Sequence, residues 1–229
     1  MAARQKREQR PLPPPLPPAR RTVGQLVGEA IRAYGARFWE GLVLGIPVVL
    51  ANALVWRQSA DDLGLVLLLP TALLISFSYV LAVGRVNGVS VRSRRGALAY
   101  VLAVLIFLPV PLFVAVFILP ALIWLSLFGL AVPAVLVEGL GVRAALARGL
   151  TLARADFIHV LGGLATLAIV VFLTRSVLFF LLRDAGDNTS LIAFLLADIV
   201  ISPVLFLGGA LLYFDQAARV TRGKPRAAR

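Results

Sequence analysis

Between positions 38 and 215 apolar residues run together in stretches of membrane-crossing length, and arginines interrupt them at every second boundary. A hydrocarbon layer about 30 Å thick takes about 20 apolar residues per helical crossing, so this spacing divides the chain into spans. Ahead of them, Val23, Leu26, Val27, Ala30, Ile31, Tyr34 and Phe38 recur at helical intervals, with Thr22 and Gln25 placed as a capping box. The pattern predicts an amphipathic helix over 23–36 lying in the membrane interface. It leads into a first span at about 38–56, closed by a polar turn at 57–62, and a second at about 63–83. The loop 84–96 that follows carries Arg85, Arg92, Arg94 and Arg95.

The segment 97–137 contains no charge, and its length suits two helices with a tight turn. Pro109, Pro111 and Pro120 are the candidate breakers; the turn is expected near 117–120, with a break at 109–111 as the alternative. Residues 139–155 are Ala- and Leu-rich and studded with arginine, which predicts a second short helix at the membrane surface. Two more spans are expected at about 157–182 and 190–214, separated by the acidic segment 183–189. Basic loops mark the cytoplasmic side. The expected fold is therefore an all-α polytopic membrane helix bundle, with about six transmembrane helices plus two interfacial amphipathic helices. Both termini are expected on the cytoplasmic face of the inner membrane. Residues 1–21 form a basic, proline-rich tail with no apolar run for a cleavable signal; 22–218 form the membrane domain and 219–229 a basic tail. The prolines between 11 and 18 favour a polyproline II tether.

Composition agrees with this division. The chain is 60% hydrophobic, above the roughly 45–50% of soluble domains. Its net charge of +12 sits in tails and alternate loops beside the spans, so anionic lipid headgroups are the expected counter-charge and nucleic acid is not an expected partner. Arg32, Arg37, Arg143, Arg148 and Arg154 are the expected headgroup contacts. The absence of cysteine removes disulfides, thiolate metal sites and a cysteine nucleophile.

Candidate chemistry is sparse. No HExxH, GxSxG or GxxxxGK[ST] motif occurs, and no two carboxylates share a plausible site. His159 is a lone imidazole, which suits interfacial hydrogen bonding better than metal binding. The GxGxxA pattern at 139–144 follows a membrane helix and not a strand, so its glycines end that helix. No catalytic residue, metal or cofactor is expected. Gly41 and Gly45 have the spacing that lets helices approach closely within a bundle. Glu40 and Glu138 fall at helix ends, where each can reach water or pair with Arg37 or Arg143.

Arg175 and Asp198 are deeper. An antiparallel hairpin turning near Gly186 sets Arg175 opposite position 197, one residue from Asp198, and about 16–18 Å of helix separates both from the turn. Each charge is expensive at such depth and pairing is the usual remedy, so an intramembrane ion pair is expected.

The order of features resembles that of uncharacterised six-helix bacterial membrane proteins related to the membrane domain of glycerophosphoryl diester phosphodiesterases. The resemblance rests on Thr22-Val23-Gly24 with Glu29-Ala30, on Pro133-Ala134-Val135-Leu136-Val137-Glu138-Gly139, and on Ala144-Ala145-Leu146-Ala147-Arg148 with Leu152. It covers roughly 22–218. Arg148-Gly149 stands where such proteins commonly carry Arg-Ser. In the full enzymes a separate soluble domain hydrolyses the phosphodiester, so the resemblance implies a membrane domain without the enzyme. The functional expectation is a non-enzymatic integral membrane protein with an accessory, partner-binding or membrane-organising role and anionic-lipid contacts. The alternative is a small transporter or permease component that uses Arg175 and Asp198 in a polar intramembrane site.

Overall fold

The computed structural model describes residues 17–56, 65–182 and 187–223. The polar turn expected at 57–62, most of the N-terminal tail, the centre of the acidic turn and positions 224–229 lie outside the described residues. Every regular element among the described residues is helical. Five helices are long and apolar enough to cross a membrane, or six if a bent N-terminal pair forms one span. The chain is an all-α, multi-pass helix bundle.

Helix α1 (Val23–Ala36) opens on its capping box: Gln25 N–H donates to Thr22 Oγ1, and Thr22 N–H donates to Gln25 Oε1. Two backbone donors that have no helical partner are satisfied together. The Leu26, Ala30 and Tyr34 stripe is buried against α10 and α11 (ranges below), so this part of the apolar face packs on the bundle itself. At Arg37 the backbone leaves helical geometry (φ −138°, ψ 54°). The chain bends there by 108° into α2 (Phe38–Leu42) and α3 (Ile46–Trp56).

The single span expected over 38–56 is thus two helical pieces with a turn at 43–45. Close approach accompanies the turn. A Cβ on Gly45 would stand 2.3 Å from the Ile199 carbonyl oxygen of α11, and one on Gly41 would stand 2.4 Å from the Tyr34 ring. Both glycines serve packing within the molecule.

Helix α4 (Leu65–Asn87) continues past the expected end at 83, making Arg85 a helical residue and not a loop residue. Gly88 ends it with φ 64°, a conformation glycine adopts without a Cβ penalty. The uncharged stretch then forms α5 (Arg94–Phe107), α6 (Val110–Val116), α7 (Ile118–Phe128) and α8 (Ala131–Glu138). Reversal occurs at Phe117, which is extended (φ −169°, ψ 145°), and α5 packs back against α8. The prolines at 109 and 111 only interrupt the first crossing, Arg94–Val116, where a missing N–H and ring sterics break the ladder.

Helix α9 (Val142–Ala155) folds back on α8, with Gly149 bringing the backbones together: a Cβ there would lie 2.9 Å from Ala131 N. Helices α10 (Phe157–Leu182) and α11 (Asp187–Gly223) complete the fold. At 37 residues α11 exceeds the expected 190–214 at both ends. Asp187, Asn188 and Thr189, expected in the turn, are the first residues of this helix. Arg219, expected in the tail, is helical and pairs with Asp156. Helix α11 is the spine, touching α1, α3, α4, α9 and α10. Large apolar side chains such as Leu105, Val116, Phe172, Leu181 and Leu196 point outward, as a lipid-facing surface requires.

Close backbone approach predicts an asymmetry among the glycines. Gly45→Val should destabilise the detergent-solubilised protein by about 1–3 kcal/mol, the usual overpacking range. Gly24→Ala, where nothing lies within 4 Å of the added Cβ, should be neutral or stabilising by up to about 1 kcal/mol of helix propensity. Thermal unfolding of the two variants beside the parent measures the difference.

Candidate functional site

Helices α10 and α11 lie side by side, and their packing brings Arg175 to Asp198. Arg175 Nη2 donates to Asp198 Oδ2 at 2.6 Å. Asn52 Nδ2, from α3, donates to the same oxygen at 2.7 Å. One turn further along α11, Ser202 Oγ donates to the Asp198 main-chain carbonyl. Three helices therefore meet at one carboxylate, whose side chain is 2% exposed against 37% for Arg175. Asp198 Oδ1 and Arg175 Nε remain without a partner.

Over these groups lies a cleft of about 380 Å³. Asn52, Arg175, Ser176 and Asp198 make its polar floor, while Phe172 and Leu195 are among its apolar walls. That volume is in the range of small-ligand sites, which combine apolar walls with a few convergent polar groups. The arrangement can hold a small molecule by hydrogen bonds to a neutral guanidinium–carboxylate pair and by apolar contact around it. Asn52 was not among the sequence candidates. Its signal was present, as the one polar side chain in the apolar run 46–56, but an isolated amide carries no depth or partner until α3 is folded against α11.

A second polar network ties the opposite end. Asp215, fully buried, receives Arg21 Nη1 at 2.7 Å, and His159 Nε2 lies 3.8 Å from its other oxygen. Arg219 Nη1 donates to Asp156 Oδ2 at 2.7 Å, and its Nη2 donates to the Arg21 carbonyl at 2.8 Å. Asp156 Oδ1 in turn accepts from the His159 N–H at 3.1 Å, capping the start of α10. His159, read as interfacial, is 9% exposed inside this network. Asp215 lies about 25 Å beyond Asp198 along α11 at 1.5 Å per residue, so the two networks are separate.

Glu138 has a different partner from the one expected. Arg148 Nε donates to it at 2.9 Å and Tyr213 Oη at 2.5 Å, in place of Arg143. Gly139, left-handed at φ 70°, reverses the chain and carries α9 back across α8, which returns Arg148 and not Arg143 to the glutamate. Of the arginines expected at headgroups, Arg148 is thus engaged by Glu138. Arg32 pairs with Glu29 at 2.5 Å but stays 63% exposed, and Arg37 is 68% exposed with Glu40 at 4.0 Å. Arg143 and Arg154 are exposed.

Among the described residues no three His, Asp or Glu side chains gather as a metal-binding group. Comparison of the chain with protein-family models, with curated proteins and with solved structures gives no match.

The geometry predicts coupling between Arg175 and Asp198. Asp198→Ala and Arg175→Ala should each destabilise by about 3 kcal/mol, at the lower end of the range for broken buried pairs because Arg175 is 37% exposed. The exchange Arg175→Asp with Asp198→Arg should recover part of that loss in thermal unfolding. Additive losses without recovery would contradict the pairing.

Proposed function

We propose that the chain is a non-enzymatic membrane protein of the inner membrane that holds a small polar or amphipathic molecule in the cleft over Asn52, Arg175 and Asp198, as a small transporter or permease component. The observation that carries this reading is the cleft itself. A space of about 380 Å³ reaches an ion pair whose carboxylate is buried, a feature that an accessory bundle has no need of. Intramembrane charges on a cavity are expensive and mark substrate paths. Beyond Ser202, Val204, Phe206 and Leu207 are buried.

In this proposal Arg85, Arg95, Arg148 and Arg219 face the cytoplasm, with both termini, and the cleft opens towards the opposite side. The positive-inside rule supports the assignment. The resemblance of 22–218 to six-helix bacterial membrane proteins related to the membrane domain of glycerophosphoryl diester phosphodiesterases supports a membrane-embedded role. A second reading, a membrane-organising role with anionic-lipid contacts, is favoured by the exposed Arg32, Arg37, Arg143 and Arg154.

Because the chain contains no cysteine, single cysteines test the reading directly. In intact cells a charged, impermeant thiol reagent should label Ser176→Cys in the cleft and leave Ser202→Cys unreacted. Ser93→Cys and Thr221→Cys should react only after permeabilisation. Protection of Ser176→Cys would mean a dry cleft and remove the transport reading; labelling of Ser93→Cys from outside would invert the orientation.

A further inference from the structure

Inside the elbow between α1 and α2 lies a second cavity, of about 310 Å³. Its polar lining is Tyr34, Arg37, Glu40 and Arg85, and its apolar wall includes Leu44, Leu207 and Leu211. Arg85 comes from the last turn of α4 and makes no ion pair or side-chain hydrogen bond among the described residues; its Nη1 is buried and unpartnered. Tyr34 is 7% exposed, and its hydroxyl is also buried without a partner.

Both residues line the one cavity, and a buried donor left unpaired costs about 1–3 kcal/mol, and more for a charged group. The other partly buried arginines described above, Arg21, Arg148, Arg175 and Arg219, each have a carboxylate. The charges around the cavity are Arg37, Glu40 and Arg85. Glu40 at 4.0 Å offsets Arg37 at the exposed rim, which leaves one net positive charge, that of Arg85. Gly41 shapes the chamber, because its missing Cβ admits the Tyr34 ring.

We infer that this elbow is a binding site for the phosphodiester of an anionic lipid, with Arg85 and Tyr34 as donors to the phosphate, Arg37 at the entrance and the acyl chains against Leu207 and Leu211. A single negative charge matches the single uncompensated cation, and guanidinium is the side chain best suited to phosphate. The apolar wall distinguishes a lipid from free phosphate. The inference narrows the lipid-contact reading above from a diffuse attraction along exposed arginines to one pocket. The two fail differently: binding that survives loss of any single arginine would be diffuse.

The test uses the full chain purified in detergent, with native mass spectrometry and thermal unfolding as readouts. Phosphatidylglycerol should be retained on the protein and raise its unfolding temperature; phosphatidylcholine and inorganic phosphate should do neither. Arg85→Gln should lower phosphatidylglycerol affinity at least tenfold and Tyr34→Phe a few-fold, whereas Arg143→Gln on α9 should leave it unchanged. Equal affinity in Arg85→Gln and the parent overturns the site, as does an equal loss in Arg143→Gln. If Arg85→Gln fails to fold, the parent decides alone: equal retention of phosphatidylcholine, or stabilisation by inorganic phosphate without phosphatidylglycerol, overturns the lipid assignment.

Discussion

A charge taken out of water has to be met by another charge or by hydrogen bonds, and α11 carries two carboxylates in that position. Asp198 and Asp215 are both almost fully buried, and each draws groups from elements distant in sequence. Asp198 gathers Arg175 from α10 and Asn52 from α3. Asp215 gathers Arg21 from ahead of α1, with His159 of α10 beside it. Apolar packing among membrane helices is weakly directional, because lipid chains are as apolar as leucine side chains. Polar contacts of this kind then fix which helices are neighbours and in what register.

Small residues make those contacts reachable. Gly45 lets the chain lie against the backbone of Ile199, directly beside Asp198 on α11, and so sets α3 where Asn52 can reach the carboxylate. Gly149 does the same between α8 and α9, and the left-handed Gly139 between them returns Arg148 to Glu138. Packing and electrostatics are therefore linked: a side chain added at Gly45 would displace a helix and a hydrogen-bond donor together.

The same logic separates the three polar regions. In the network around Asp215 each acid is met by a nearby base, although Asp215 Oδ2, Arg21 Nε and Arg219 Nε take no hydrogen bond, and the network binds the N-terminal segment to the last helix. The site at Asp198 is paired yet lies under an open cleft, with Asp198 Oδ1 and Arg175 Nε unpartnered. At the elbow, Arg85 Nη1 and the Tyr34 hydroxyl are unpartnered, and the one carboxylate, Glu40, stands by Arg37 at the rim. These are, in order, an ionic tie between distant segments, an ion pair beneath a cleft, and an arginine without a carboxylate beside a cavity.

What the sequence determined by itself was periodicity and length. Hydrophobic runs of crossing length and the Thr22–Gln25 cap are local properties, since a helix buries its own backbone polar groups and a cap involves only near neighbours, whereas the choice of 117 over 109–111 for the reversal was left to the structure. Even the meeting of Arg175 and Asp198 was legible, because they flank one short turn and equal distances along two helices bring them to equal depth. Tertiary structure alone decided the rest. That Asn52 joins the pair, that Arg219 belongs to α11 and meets Asp156, that Arg148 and not Arg143 returns to Glu138, and that Arg85 is left without a carboxylate all depend on how helices far apart in the chain are packed. Hydropathy records how apolar a helix is and carries no information on which face meets which neighbour; that choice is made by glycine contacts and buried charges acting across the whole bundle.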